Sequence, residues 1–510
     1  MNPHTADDSY FLAPSIPRRS NLGRSNLDLS PAQLENLLSA VASRIFQYQR
    51  DLSGGKYPAS YLHDSINVLN YSEGRRIGAQ LREDQIPRDG TDLDTLLSEV
   101  FDRAMINGTM HAHPGFMAHV PSGGLFQAVV GEFIARTLNR FVGIWAAAPG
   151  FTEIESNVIR WFCEILGYGD HSFGYMTTGG SIANFMGLRC ALEQLDEAAR
   201  PLATIYVSSQ GHFSIEKAAK LAGISRDRIR VISTHSDYSL NTAELSERIE
   251  SDKRSGLSPV CVVATAGTTT TGAIDNLENI ATYCGARNIW LHVDACLGGF
   301  FRLTARGKEM LNGIEEAGSI AVDAHKSLFL PHGTSALLVK EKARLRDAFE
   351  VPGAAYNPGL TNEDELVDFC NYGPELSREM RGFTAWLPIK MHGIKAFEQC
   401  LDQKLDQADH LAESLLDING MEIVRRSSPH LPVVAFKLRG DSRAAEDRMN
   451  EILCELICSR GNVYLATTKL PQEGLVLRAC ILHHQTDIGT VDQLIDDTKW
   501  SIERMKREAA

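Results

Sequence analysis

No stretch of this 510-residue sequence strings together the roughly 18 apolar residues that a membrane-spanning helix needs, so a transmembrane protein is not expected. The opening residues, MNPHTADDSYFLAPSIPRRSN, carry no apolar core behind their charges and do not read as a secretory leader. Basic clusters with interleaved aromatics are missing and the net charge is −13, which argues against nucleic acid as a partner. The ten cysteines are scattered. Cys454 and Cys458 lie four apart on an expected helix, but no partner pair has zinc-ligand spacing, so no metal is expected. Cys163, Cys190 and Cys261 fall in apolar segments, as reduced thiols of a cytoplasmic protein do. Internal repeats and low-complexity tracts are absent as well. What remains is a globular composition, 43% hydrophobic and 23% charged, long enough for one large domain with one or two smaller ones.

The most informative stretch is 319–340, SIAVDAHKSLFLPHGTSALLVK. Its two apolar runs read as buried strands joined by a polar turn, and Lys326 sits at that turn. Burial there would desolvate the amine, lower its pKa and make it a nucleophile toward a carbonyl. Taken alone, a lysine after a strand is usually a surface residue.

Residues 1–28 read as a loose polar arm. Ser30-Pro31 then opens a helix, with Asp28 or Ser30 as its cap, and further helices are expected over 93–105, 125–137 and 153–166. From 174 to 339, apolar runs at 204–207, 229–232, 260–264, 289–293 and 319–322 alternate with helical patterns at 215–222, 242–251 and 277–284. That alternation predicts an α/β domain with a mostly parallel sheet, whose ligands sit at the carboxyl ends of its strands. Past about 390 the pattern changes to a long helix over 394–416, strand candidates at 432–438, 463–467 and 475–479, and a terminal helix. A separate, smaller α+β domain over 391–510 is expected.

Several chemical groups fall on the expected strand ends. Asp294 ends the 289–293 run, where a buried carboxylate needs a cationic partner. Gly179-Gly180-Ser181, in TTGGSIAN, opens a helix and offers backbone N–H groups to a phosphate, or is simply a turn capped by Ser181. His212 follows the 204–207 run, and by itself reads as a packed or surface histidine. The run ATAGTTTTG at 264–272 brings hydroxyls to the same rim. A phosphate nest, a flat-ring neighbour, a buried acid and a desolvated lysine together meet the needs of pyridoxal 5′-phosphate.

With these motifs in this order, the sequence resembles the group II pyridoxal-5′-phosphate-dependent amino-acid decarboxylases, the family of aromatic-amino-acid, histidine and glutamate decarboxylases. The resemblance spans about 113–478. HPGF at 113–116 and WAAAP at 145–149 are similar to substrate-pocket segments, while TTGGSIAN, the His212 segment, HVDAC and DAHK are similar to cofactor segments. It implies a type I, aspartate-aminotransferase-like fold and an obligate homodimer with shared active sites. Residues 29–110 would contribute to dimerisation and 111–390 would form the large cofactor-binding domain. Carried over, the resemblance makes Lys326 the Schiff-base partner, Asp294 the partner of the pyridinium, and His212 the residue stacked on the ring. Gly179, Gly180, Ser181 and His325 would hold the phosphate. Thr269 would lie close to the ring, with Cys296 where a small alanine often packs. Tyr356, on a Gly- and Pro-rich lid, would protonate the α-carbon after CO2 leaves, and Arg378 matches a structural arginine. His119, Pro121, Ser122 and Trp145 would line the substrate pocket.

The departures from the family pattern are chemical. Asp323-Ala324 replaces an Asn-Pro pair, and an acid there would repel the phosphate unless it points away or is paired. His119 and Val120 replace aromatic residues, and Gly143 stands where a partner-subunit phenylalanine would come, so a catechol or indole should be held less tightly. His111, His119 and His332 would favour a polar or anionic side chain. The expected reaction, part of carboxylic and amino-acid metabolism, is decarboxylation of an L-amino acid to an amine and CO2. One alternative is a carbon–carbon lyase similar to sphingosine-phosphate lyases, which are usually membrane-anchored. Another is decarboxylation with oxidative deamination to an aldehyde, against which Tyr356 argues. A cofactor-free homologue is a third, opposed by intact Lys326, Asp294 and His212.

Overall fold

In the computed structural model the described residues are 27–53, 71–105, 108–351, 365–424 and 430–509. Tyr356 lies outside them. The chain divides into two compact units, 1–54 with 75–106, and 55–74 with 107–510.

The first unit is helical. Ser30 and Gln33 form a reciprocal cap on the helix Pro31–Ser53: the Ser30 N–H donates to Gln33 Oε1 at 2.9 Å and the Gln33 N–H to Ser30 Oγ at 3.3 Å. The expected helix over 93–105 divides into an α-helix, Leu93–Ser98, and a π-helical segment, Glu99–Ala104. Arg44 braces the junction by donating to Ser98 Oγ (3.2 Å) and Asp102 Oδ2 (2.5 Å).

The second unit is built on a seven-stranded sheet with strands β1 Phe173–Thr177, β2 Ala203–Ser208, β3 Ile229–Ile232, β4 Ser258–Thr265, β5 Trp290–Asp294, β6 Ser319–Asp323 and β7 Ser335–Val339. Their order is β1-β7-β6-β5-β4-β2-β3. β3, β2, β4, β5 and β6 pair in parallel, whereas β7 runs antiparallel between β6 and β1. The reversal follows from connection length: parallel neighbours need a crossover helix, and the short segment after β6 is one turn of helix and a loop. β5, β6 and β7 are buried along their whole length, which is why they read as apolar runs rather than alternating ones. The fold is thus α/β with a mostly parallel large sheet.

A second, wholly antiparallel sheet holds β8 Met421–Ile423, β9 Val433–Leu438, β10 Ala466–Leu470 and β11 Gly474–Cys480, in the order β10-β11-β9-β8. Helices Ile394–Leu416, Arg443–Ser459 and Ile488–Ala509 cover it around a core that includes Leu411, Phe436, Leu453 and Leu494. β1 and the three-residue β8 are additional to the expected strands. The strand expected at 463–467 lies three residues further on. Val463 and Leu465 instead plug the core, and the Tyr464 N–H bonds the Gly115 carbonyl at 2.8 Å.

This sheet and the loop after it position the segment 112–122. Met117 O accepts from Cys480 N–H (2.8 Å) and Ala112 O from His483 Nε2 (3.0 Å). Pro114 O accepts from the Thr486 hydroxyl (2.5 Å) and Ser122 O from His484 Nδ1 (3.1 Å). Buried Lys404 secures that loop by donating to Thr486 O at 2.5 Å. Among the described residues no helix is long and apolar enough to cross a membrane. No group of three or more His, Cys, Asp or Glu among them is placed to hold a metal.

Candidate active site

A cavity of about 310 Å³ opens where the carboxyl ends of β1, β2, β4, β5 and β6 meet. It is lined by Lys326, His325 and Asp323 after β6, Asp294 and Cys296 after β5, Thr268 and Thr269 after β4, His212 after β2, and Gly179, Gly180 and Ser181 after β1. Nine of the residues expected from the sequence are therefore brought together: Lys326, His212, Asp294, Gly179, Gly180, Ser181, His325, Thr269 and Cys296.

The helix Gly180–Leu192 begins without a side-chain cap, so its first N–H groups point an uncapped positive end at the cavity. Backbone and strand end approach closely here. A Cβ on Gly180 would run into Cys296 Sγ and stand 3.1 Å from both Asp323 oxygens.

Lys326 lies on the single helical turn Ala324–Ser327, with Nζ 2.9 Å from Asp323 Oδ2. Its electrostatics correct the expectation of a lowered pKa. Burial does pull the amine down, but the negative charge of Asp323, helped by Cys296 and Asp294, more than offsets it and raises the pKa above the ordinary lysine value. Asp323 is itself buried, which would push its carboxyl up, yet Lys326 and His325 hold it below the usual range. It also accepts from the Ser335 hydroxyl at 2.6 Å. The acid that would have repelled a phosphate is paired.

Asp294 is buried and accepts from Asn184 Nδ2 (3.1 Å) and the Cys296 N–H (3.2 Å). His212 Nδ1 lies 2.7 Å from Ser214 Oγ and accepts the Ser214 N–H at 3.2 Å, so its ring proton sits on Nε2. Burial lowers its pKa more than nearby Asp294 raises it, and the ring is neutral. Buried Asp275 anchors the threonine-rich loop from outside the cavity, accepting the N–H groups of Thr265 and Leu240, each at 2.7 Å.

The four expected substrate-pocket residues do not line this cavity. Ser122 is buried and donates to Leu330 O at 3.1 Å, Pro121 is buried beside it, and the Trp145 N–H donates to Asp368 at 2.8 Å. His119 adopts φ 53° with its carbonyl bonded by Arg478. It reaches the site through a string of rings. His332 lines the cavity 5.4 Å from the His325 ring, His111 is 5.7 Å further, and His119 is 6.3 Å from His111. Burial lowers the pKa of His111 and His119. Arg378 forms a buried ion pair with Glu155 and stacks over Tyr175 (4.4 Å) and Phe369 (4.5 Å), away from the cavity.

Thr265 belongs to the hydroxyl run expected on this rim, while Asn184 and Ser214 also line the site without a role of their own assigned from the sequence. The only signal was a polar residue, Asn184, in an otherwise apolar helical run. The cavity offers what pyridoxal 5′-phosphate demands: an amine for its aldehyde, uncapped N–H groups for its phosphate and a buried carboxylate for its ring nitrogen.

Comparison with known proteins points the same way. A family model described as the pyridoxal-dependent decarboxylase conserved domain matches residues 77–439. An aromatic-L-amino-acid decarboxylase of Bacillus atrophaeus is 33% identical over 474 residues, 92% of this chain and 95% of that one. A phenylacetaldehyde synthase of Petunia hybrida is 27% identical over 438 residues, 81% and 85% of the two chains. In fold, the chain is similar to Oryza sativa TDC solved with PLP and tryptamine, at TM-score 0.85 and 23% identity, covering 94% of this chain and 100% of that one.

Proposed function

The chain belongs to the pyridoxal-dependent decarboxylase family, and from that premise we propose that the cavity around Lys326 removes CO2 from an L-amino acid with a polar side chain and releases the amine. As a class it is a pyridoxal-phosphate-dependent amino-acid carboxy-lyase with a type I fold. The observation that carries the residue assignments is the convergence of Lys326, Asp294, His212 and the uncapped helix start on one cavity.

When bound, pyridoxal 5′-phosphate supplies an electron sink for the bond broken at the substrate α-carbon. Lys326 would hold its aldehyde carbon. Asp323, 2.9 Å away, keeps that amine protonated in the free protein, and the proton has to leave before the nitrogen can bond to carbon. Asp294 would hold the proton of the ring nitrogen. Gly179, Gly180, Ser181 and His325 would bind the phosphate, with Thr269 and Cys296 beside the ring. His212, neutral with its proton on Nε2, would lie flat on the ring and donate to the substrate carboxylate. The string His332, His111 and His119 supports a substrate side chain that exchanges hydrogen bonds.

Tyr356 would return a proton to the α-carbon; the phenylacetaldehyde synthase among the relatives supports an aldehyde product as the second reading. A homodimer is supported by the exposed apolar stripe Phe126, Val129, Val130, Phe133 and Leu138 along the helix Phe126–Leu138, which suits a second copy of the chain, and a cytoplasmic location by the ten cysteines, all free thiols.

The test is incubation with pooled L-amino acids while CO2, amine and aldehyde are measured, with Lys326→Ala as the control. CO2 and amine in equal amounts, both lost in Lys326→Ala, are expected. CO2 with aldehyde and ammonia would move the assignment to the second reading. CO2 from none of the amino acids would overturn both.

A further inference from the structure

Beneath the cavity, Trp290, His292 and Asp294 alternate along β5 and so share one face of the sheet, in line over about 13 Å. Hydrogen bonds join them through residues of two other elements. Trp290 Nε1 is 2.8 Å from Ser319 Oγ, and Ser319, the cross-strand neighbour of His292 on β6, is 2.8 Å from His292 Nδ1. His292 Nε2 is 2.9 Å from Asn184 Oδ1. Asn184 Nδ2 reaches both Asp294 Oδ2 (3.1 Å) and Ser214 Oγ (3.3 Å), and Ser214 reaches His212 Nδ1 (2.7 Å). Ser319 and His292 are fully buried and Asn184 is 1% exposed, so water offers no alternative partner.

The direction of every bond is forced from one end. A carboxylate only accepts, so Asn184 turns its NH2 to Asp294 and its Oδ1 to His292 Nε2. The ring proton of His292 is then on Nε2 and is donated to Asn184 Oδ1. The ring Nδ1 is left to accept the Ser319 hydrogen, Ser319 itself accepting from Trp290, while the amide NH2 also faces Ser214. The Ser214 hydroxyl in turn gives its hydrogen to His212 Nδ1. Turning the amide over would press its oxygen against the Asp294 carboxylate. Burial pulls the His292 pKa down to about 4, so the ring is neutral and has a single proton to place. The backbone makes room for this ring: Gly187 lies one turn beyond Asn184 on the same helix, and a Cβ there would collide with the imidazole.

We propose that Trp290, Ser319, His292 and Asn184 form a positioning relay that sets two cavity groups with one hydrogen-bond direction. It supplies a donor to Asp294 and, through the Ser214 hydroxyl, supports the Nε2–H tautomer that the Ser214 N–H already imposes on His212. The relay rests on the reading of Asp294 and His212 as cofactor-facing groups. Asn184 bonds Asp294 directly and His212 through Ser214, and the other three members act through Asn184.

The experiment uses full-length apoprotein labelled with ¹⁵N-histidine, together with titration of pyridoxal 5′-phosphate into wild type, Asn184→Leu, Ser319→Ala and Asp294→Asn. In the wild type, both His292 and His212 should show the Nε2–H tautomer by NMR. Asn184→Leu should shift the His212 Nδ1 resonance, through the lost partner of Ser214, and raise the cofactor Kd about tenfold, the usual loss for a hydrogen bond to a charged group. If Asn184→Leu does not fold, Ser319→Ala carries the same test, because it removes the hydrogen that His292 Nδ1 accepts and loosens the hold on Asn184 without touching the cavity. An Nδ1–H form of either histidine in the wild type overturns the relay. So does an unchanged His212 signal and Kd in Asn184→Leu with only a lowered Tm, the mark of a merely structural role. An unchanged Kd in Asp294→Asn overturns the assignment of Asp294 and the relay with it, whereas a raised Kd there with none in Asn184→Leu removes the relay alone.

Discussion

Asp323 shows how one side chain changes the chemistry of its neighbour. It keeps Lys326 protonated through the 2.9 Å contact, so the free amine is scarce at neutral pH. Replacing it with Asn keeps the size and lets the Lys326 pKa fall under the burial that remains. Apoprotein carrying Asp323→Asn should therefore capture pyridoxal 5′-phosphate faster at pH 7, by about tenfold for each unit the pKa falls. Stopped-flow absorbance against pH measures this, and an unchanged rate would show that Asp323 does not control the amine. At this scale the sequence was legible wherever a polar residue followed an apolar run, as Lys326, Asp294 and His212 do. It was silent on partnership. Asn184 meets His292 from 108 residues away and Ser335 reaches Asp323 across a strand pair, and neither distance is written in local spacing. The sign of the Lys326 shift was misread for the same reason: burial is visible in an apolar run, whereas the acid's orientation is not.

Among the elements, the close pass of the helix Gly180–Leu192 over the end of β5 leaves no room for a methyl group. Gly180→Ala should weaken cofactor binding roughly tenfold or more through overpacking against Cys296. The double variant Gly180→Ala with Cys296→Ala should recover most of it, since the smaller side chain vacates that volume. Equilibrium titration of the two proteins decides the matter; no recovery would mean that the Asp323 oxygens, not the sulfur, set the limit. Strands with continuous apolar runs were readable to within a residue or two, because burial on both faces needs such runs. β8 has three residues and too little pattern to detect. The shift of β10 has a tertiary cause, Val463 and Leu465 being drawn into the core before the strand begins. The π-helical segment Glu99–Ala104 is likewise bonded by Arg44 from another helix, a contact that local spacing does not announce.

Across the whole molecule, several histidines are buried as neutral rings. Burial lowers His113 and His292 to about 4 and His483 to about 3. The unfolded chain takes up these protons near 6.5 and the folded chain does not, so their contribution is complete above that pH and is lost as pH falls toward 4. Asp275, pushed up to about 6 by burial, works in the opposite sense between about 6 and 4, one group against three. The urea midpoint should accordingly fall between pH 6.5 and 4.5, and a flat profile would contradict the burial of these rings. The α/β architecture was legible as an alternation of patterns, whereas the reversal of β7 depended on how little chain follows β6. That reversal also bears on the order of assembly. In the seven-stranded sheet only eleven residues separate β6 from β7, while every parallel neighbour closes a longer loop. Short loops cost less entropy to close, so within the seven-stranded sheet this hairpin is the cheapest pairing to form. It carries Asp323, Lys326 and Ser335 together. The nucleophile and its acid can thus be assembled by a local folding event, before the distant strands arrive to enclose them.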